Sequence, residues 1–225
     1  MGTTNGDGMT TTYLIPSAVA DLYEVHEWRD AAGVLSTANY AEWNDIIEVL
    51  SAFRLYKDEV IKAGGRKSPI ANRIDSSFFA KGWKETKFQT AILVDGQSFP
   101  SPTHLVDCFK GRVALEVEWN NKDPFYDRDL NNFRLLFDLR VIDVGVIVTR
   151  CSELQDIFDD LGKGSSYGSS TTHMTKLLPR IEGGGGGGCP ILAFGISKKL
   201  FVTDPPSPTP SAPQTQRPRD DDDSE

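Results

Sequence analysis

The chain has 225 residues, a hydrophobic content of 39% and a formal net charge of −8. This length and composition allow one packed domain with tails, and they exclude a predominantly disordered chain. No stretch approaches the ~20 apolar residues that cross a membrane, and the Gly/Thr-rich start has no signal-peptide pattern. Three widely spaced cysteines argue against structural zinc and disulfides, and they favour a reducing cytoplasm.

Much of the acidic charge lies at the end of the sequence. From residue 204 onward there are six acidic and two basic residues, so this segment carries half of the net charge of −8. Its Pro, Ser, Thr and Asp content predicts a disordered tail over 204–225, and the Gly/Thr-rich start predicts disorder over 1–11. We therefore expect one folded domain over 12–203. Local charge patches, rather than the net charge, decide whether a protein contacts phosphates. The negative net charge therefore weakens the hypothesis of DNA binding without excluding it.

The first strong pattern in chain order is an amphipathic helix. Apolar residues at three- and four-residue spacing predict this helix over 39–56. A basic Gly-rich turn that contains Lys67 and Ser68 follows it. Exposed backbone N–H groups and positive charge suit this turn to DNA phosphates, although a solvated loop has the same composition.

The most informative motif is a hairpin over residues 104–119. Two apolar stretches flank Lys110-Gly111, which predicts two strands joined by a tight turn there. Side chains alternate faces along a strand, so Glu116 and Glu118 share one face, and apolar side chains occupy the other.

A third acid joins this pair. If the turn has two residues, Asp107 lies opposite Ala114 and on the same face as Glu116 and Glu118. Three carboxylates on one face repel one another, and a divalent ion with oxygen ligands removes that cost. The pattern therefore predicts a metal-dependent phosphodiesterase site. The alternative is the solvated face of an amphipathic strand.

An Asp, a short turn and Glu-x-Glu on the next strand resemble the active-site motif of the PD-(D/E)xK nucleases. Most members have Lys where this chain has Glu118, a departure seen in the BamHI-like branch. Trp119, the pair Asn120-Asn121 and the run from Asp143 to Arg150 are most similar to BglII and its relatives among the type II restriction endonucleases. The resemblance covers about residues 35–202. It implies an α/β fold with a mixed central β-sheet flanked by helices.

The resemblance also implies a mechanism and partners. Asp107 and Glu116 would bind Mg²⁺ together with the carbonyl of Val117, and Glu118 would act as a general base or bind a second ion. The enzyme would be a homodimer that cuts palindromic double-stranded DNA to 5′-phosphate ends. A cognate methyltransferase would protect the host DNA. BglII, BamHI and BstYI share a central GATC, so we expect a GATC-centred target.

Two polar loops are candidates for DNA contact. The resemblance places base-reading side chains directly after the catalytic strand, at Asn121 with Asn120 assisting. An Asn amide suits a purine edge, although paired Asn is also typical of turns. Ser166 and Tyr167 lie in a later loop, where the relatives contact bases or phosphates.

The remaining elements alternate between helix and strand. Asp127 is a candidate cap for a helix that precedes a buried Val/Ile strand over 141–149. This order predicts a right-handed parallel crossover beside the catalytic strand. The glycines 183–188 predict a flexible linker rather than a nucleotide-binding loop. Further helices are predicted over 74–83, over 152–161 with Ser152 as its cap, and over 171–181, and further strands over 88–94 and 190–202.

Other functions stay open at this point. A repair or recombination nuclease could use the same hairpin, and a non-cleaving DNA-binding module would need no metal. Asp45 or Glu48 on the first helix could add a further acid, but neither lies on a helix face that the pattern ties to the hairpin.

Overall fold

The computed structural model describes residues 10–62, 68–100 and 103–203. Lys67, the predicted tail over 204–225 and most of the predicted disordered start lie outside these residues. The helices are α1 Ser17–Ala20, α2 Ala31–Ala38, α3 Tyr40–Ala52, α4 Lys57–Ile61, α5 Pro69–Phe79, α6 Phe125–Asp138, α7 Leu154–Asp160 and α8 Met174–Glu182. The strands are β1 Tyr23–Trp28, β2 Leu55–Tyr56, β3 Lys84–Lys87, β4 Ala91–Val94, β5 Gln97–Pro100, β6 Leu105–Lys110, β7 Val113–Val117, β8 Val144–Arg150, β9 Ile191–Ile196 and β10 Phe201–Val202.

A six-stranded mixed sheet, in the order β1-β9-β8-β7-β6-β3, forms the centre of the described fold. Strands β7, β8 and β9 are parallel neighbours, whereas β1, β6 and β3 pair antiparallel with theirs. Strand β7 is followed by α6 and then by the parallel strand β8, which confirms the predicted crossover connection. The prediction of a mixed α/β sheet flanked by helices is likewise confirmed.

Each face of the sheet has its own apolar core. Alternate residues of β7 and β8, such as Leu115 and Val146, pack with the buried faces of α2, α3 and α5. The intervening residues, such as Ala114 and Ile147, pack with α6 and α8. Strand β8 is buried along its whole length because helices cover both of its faces. Side chains that follow the alternation of Ala114 therefore face α6.

The turn between β6 and β7 lies one residue later than predicted. Lys110 pairs with Val113, so the two residues between them form the turn. The first of these, Gly111, has φ +55°, a left-handed value that glycine tolerates. If this register continues, Asp107 lies opposite Glu116, two positions further along β7 than predicted. A shift of two residues preserves the face, so the predicted grouping of the acids is unaffected.

Two predicted helix caps are wrong. Helix α6 begins at Phe125, ahead of Asp127, and its cap position makes no side-chain hydrogen bond. Asp127 instead accepts a hydrogen bond of 3.0 Å from Nε of Arg180. Ser152 does not cap α7 either, because its hydroxyl lies 3.1 Å from Nδ1 of His173.

The six-glycine run is a series of ordered turns, and its prediction as a flexible linker is wrong. Gly183, Gly184 and Gly185 donate their N–H groups to carbonyls in the last turn of α8. Gly184 has φ +87°, which L side chains rarely adopt. A Cβ on Gly186 would lie 2.3 Å from Cδ1 of Ile191. The absence of a side chain at these positions therefore permits close packing at the junction of α8 and β9.

All three cysteines are buried thiols. Burial raises the pKa of Cys189 to about 12 and also raises the pKa of Cys151. Among the helices that the structure describes, none is both long and apolar enough to cross a membrane.

Candidate active site

Two hydrogen bonds across the hairpin link Asp107 with Glu116 and Val117. The N–H of Asp107 donates to Oε2 of Glu116 at 3.1 Å. In return, the N–H of Val117 donates to Oδ2 of Asp107, also at 3.1 Å. The paired register of β6 and β7 ends at Cys108 opposite Leu115, so these two hydrogen bonds, rather than the strand ladder, bring the acids together, and Glu116 is buried. These reciprocal bonds fix both carboxylates on one patch of the sheet.

Glu118 follows β7 directly and is held by its backbone. Its N–H donates to the carbonyl of Val148 at 2.9 Å. Its own carbonyl accepts from the hydroxyls of Thr149 at 2.9 Å and Thr172 at 3.2 Å. The Glu118 side chain is 1% exposed, and its Oε2 accepts from Nδ2 of Asn121 at 2.9 Å. The chain around Glu118 thus leaves its carboxylate little freedom.

A fourth acid, Asp129, completes the cluster and was missed in the sequence. It lies on α6, is fully buried and is within hydrogen-bonding reach of the Glu118 carboxyl group. Asp129 falls on the buried stripe of α6, three residues after Tyr126 and four before Phe133. A charged residue at a position that helical spacing assigns to the core was the signal that could have found it.

Arg128 provides the positive charge beside these acids. Its Nε and Nη2 contact Oδ1 of Asp129 at 2.8 Å, and Nη2 lies 3.5 Å from Oε1 of Glu118. The guanidinium stacks over the ring of Phe125 with 4.3 Å to the ring centroid. The Arg128 side chain is 30% exposed, whereas those of Glu118 and Asp129 are buried. Arg128 therefore lies between the buried acids and solvent.

Burial and mutual repulsion make these acids hard to ionise. Burial raises the pKa of Glu116 well above its usual range, and the charges of Asp129 and Asp107 raise it further. Burial also raises the pKa of Glu118 to about 9, with Asp129 as the next cause. The pKa of Asp129 is raised by its own burial, against the opposing effects of its hydrogen bond with Glu118 and of the charge of Arg128. A cation near these carboxylates would relieve the repulsion.

The donor set fits a divalent ion with oxygen ligands. Glu116 Oε1 is buried and has no hydrogen-bond partner among the described residues, and such an oxygen calls for a ligand. The carbonyl of Val117 accepts from the N–H of Trp119 at 3.2 Å, which leaves a second lone pair. In the described chain no three His, Cys, Asp or Glu side chains converge on one point. Carbonyl, water and phosphate oxygens would therefore complete the coordination.

The two loops predicted to contact DNA are joined to each other. Asn120 has φ +59°, which Asn tolerates better than most residues, and its Nδ2 donates to the carbonyl of Ser166 at 3.0 Å. The backbones of Asn121 and Thr172 are also hydrogen bonded. The side chain of Ser166 is exposed. Tyr167 instead lies in the core, where its ring stacks on Phe158 at 4.0 Å.

The other predicted residues lie away from the acids. Ser68 caps α5 by accepting the N–H of Ala71 at 3.0 Å. Helix α5 packs on the opposite face of the sheet, where Cys108 also lies. Asp45 pairs with Lys110 at 2.7 Å and with Lys81 at 3.9 Å, and Lys81 also pairs with Glu48 at 2.7 Å. The structure brings none of these residues to the carboxylate cluster.

The mixed sheet, with its acids on a hairpin beside a parallel crossover, has the architecture of a restriction-endonuclease-like α/β protein. A family model described as restriction endonuclease BglII/BglIII matches residues 23–196. This match begins at the first residue of β1 and ends at the last residue of β9, so it includes the whole central sheet. The chain therefore belongs to this family of type II restriction endonucleases. No curated protein matches it.

Proposed function

We propose that the protein is a site-specific deoxyribonuclease that cuts palindromic double-stranded DNA by Mg²⁺-dependent hydrolysis and leaves 5′-phosphate ends. The reciprocal bonding of Asp107 and Glu116, beside the unpartnered Oε1 of Glu116, carries this proposal. A solvated strand face does not account for it, because Glu116 and Glu118 are buried and lie under α6.

Asp107, Glu116 and the carbonyl of Val117 would hold the ion. When bound, Mg²⁺ would supply positive charge at the scissile phosphate. Glu118 would accept a proton from the attacking water. Because burial raises the pKa of this residue, its carboxylate form depends on positive charge nearby, and Arg128 supplies part of that charge. The guanidinium of Arg128 also suits a phosphate oxygen.

DNA recognition would use the joined loops. Asn121 and Asn120 approach base edges in the major groove, and Ser166 contacts the DNA from the second loop. Tyr167 supports that loop from the core. Lys67 and Ser68 would contact the backbone further from the cut. A two-fold homodimer would match the symmetry of a palindrome, and we propose a target with a GATC centre. The enzyme would act in the cytoplasm, where a cognate methyltransferase protects host DNA.

The decisive experiment is digestion of unmethylated DNA of known sequence in Mg²⁺, followed by sequencing of the product ends. We expect discrete fragments with 5′-phosphates and a common palindrome around GATC. Cuts at a palindrome without GATC would remove only the target assignment. Intact linear DNA with cleavage of branched or mismatched DNA would replace the function by that of a repair nuclease. Intact DNA of every kind, with folded protein and Mg²⁺ or Mn²⁺, would exclude a nuclease.

A further inference from the structure

Arg150 is a buried cation that the proposed chemistry does not use. It ends β8 and is 1% exposed. Its Nη2 donates to the carbonyl of Tyr167 and to Oγ1 of Thr171, both at 2.9 Å, and its guanidinium lies 5.4 Å from the ring centroid of Phe158. Its Nε is buried without a hydrogen-bond partner, and no carboxylate in the described ranges forms an ion pair with it. Buried charges are normally paired, so Arg150 calls for an anion.

A cleft of about 400 Å³ adjoins this guanidinium. Its side chains carry hydroxyl, amide, imidazole and guanidinium groups, and none of them is acidic. Burial lowers the pKa of His173, and the positive charges of Arg150 and Lys176 lower it further, which indicates a positive potential there. The cleft lies at the carboxyl end of β8, the edge where open parallel sheets bind ligands. Its lining residues are Arg150, Ser152, Gln155, Ser169 and His173.

The rim of the cleft is continuous with the loops assigned to DNA. Ser169 lies in the loop of Ser166, whose carbonyl is bonded to Asn120. Thr171, a partner of Arg150, pairs with Lys122 just after the Asn pair. A duplex seated on these loops would bring its backbone to the cleft.

We propose that the cleft binds a backbone phosphate of DNA, with Arg150 as its counter-charge and with hydrogen bonds from the hydroxyl and amide groups at its rim. This assignment rests on the proposed function, because it assumes DNA on the joined loops. The same donors suit a free phosphate ion, and the test below separates the two sources.

The test compares two acidic substitutions in the full-length protein. Ser169→Asp adds a negative charge at the rim and leaves Arg150 in place, whereas Thr37→Asp adds the same charge on α2, at an exposed position away from the cleft. Binding to a duplex that contains the target is measured without divalent ions over a range of salt concentrations. We expect Ser169→Asp to weaken binding at least tenfold and to lower the slope of log K against log salt by about 0.9, the value for one phosphate. Thr37→Asp should match the wild type.

Arg150→Gln should show the same loss. If that variant does not fold, the comparison of Ser169→Asp with Thr37→Asp decides alone. Equal slopes for those two variants would overturn the proposal. If the wild-type enzyme cuts DNA and the two slopes are equal, the proposed function stands and only the phosphate site is refuted. If the slope of Ser169→Asp is lower but the wild-type protein does not cut DNA, the phosphate site stands and the proposed function is refuted. If inorganic phosphate raises the Tm of the wild type but not of Ser169→Asp, and the DNA slopes stay equal, the cleft binds a free anion and the DNA assignment is wrong.

Discussion

Nδ2 of Asn121 donates a hydrogen bond of 2.9 Å to Oε2 of Glu118. The residue proposed to read a base therefore touches the residue proposed to accept a proton. A base that engages the Asn121 amide would change the hydrogen bonding of Glu118. Through this contact, recognition of the correct sequence would change the hydrogen bonding of the proposed proton acceptor.

Asn121→Ala should therefore affect catalysis as well as recognition. Loss of the amide removes one hydrogen bond that favours the ionised form of Glu118, so we expect kcat to fall at least tenfold and the acid limb of the pH–rate profile to move to higher pH. Single-turnover cleavage of target and one-base-altered duplexes measures both effects. Asn44→Ala, at an exposed position of α3, is the control. A change in sequence preference with an unaltered pH profile would limit Asn121 to base reading.

Asp107→Asn should slow cleavage strongly while the protein stays folded. The Asn side chain can still accept the N–H of Val117, but it loses the negative charge that a divalent ion needs. We expect kcat to fall about 10³-fold, equivalent to about 4 kcal/mol of barrier. The matched control is Asp95→Asn at the exposed β4–β5 turn. Wild-type rates in Asp107→Asn would refute the metal assignment.

The metal-free protein should lose stability as the pH rises from about 5 to about 9. The folded pKa of Glu118 is raised to about 9 from an ordinary value of 4.5, so the folded state keeps a proton that the unfolded state releases. The stabilising effect is complete below the unfolded pKa and disappears as the pH passes the folded pKa. Urea unfolding in a chelator, compared with unfolding in excess Mg²⁺, measures it. We expect Glu118→Gln or Mg²⁺ to reduce the dependence, and a stability that rises over this range would contradict the prediction.

Arg128 should matter through its charge. Arg128→Met removes the cation beside Glu118 and Asp129, so we expect kcat to fall about 10²-fold, within the range for loss of one electrostatic group. Arg128→Lys keeps the charge without the planar fork and should retain more activity than Arg128→Met. The control is Arg134→Met, an exposed position on the same helix. A wild-type rate in Arg128→Met would show that charge at this position is not needed.

Gly186→Ala should destabilise the protein. Its Cβ would overlap Ile191, and overpacking of this kind costs about 1–3 kcal/mol. Gly168→Ala is the control, because its Cβ would be 3.5 Å from the nearest atom and its φ is −63°. Urea unfolding midpoints give both values. Equal stability of the two variants would support the flexible-linker interpretation that the structure contradicts.

The sequence predicted the crossover from β7 through α6 to β8, because hydrophobic spacing specifies which face of an element is buried. It did not locate the turn of the hairpin. The predicted and observed registers differ by two residues and bury the same side chains, so the hydrophobic pattern fits both. Asp129 was missed for a different reason. It meets Glu118 only because α6 docks over the hairpin, and no local pattern encodes that contact. The glycine run likewise owes its order to hydrogen bonds with carbonyls of α8, which its composition does not reveal.

The three buried thiols can serve as probes of local opening of the sheet. Alkylating reagents attack the thiolate, which burial and a raised pKa suppress at Cys151 and Cys189. Cys108 lies within β6, Cys151 directly follows the last residue of β8, and Cys189 lies just before the first residue of β9. The labelling rate of each thiol under native conditions therefore records how often its part of the sheet opens. Comparison of the three labelling rates, with and without DNA, would show whether the catalytic hairpin opens independently of the parallel strands beside it.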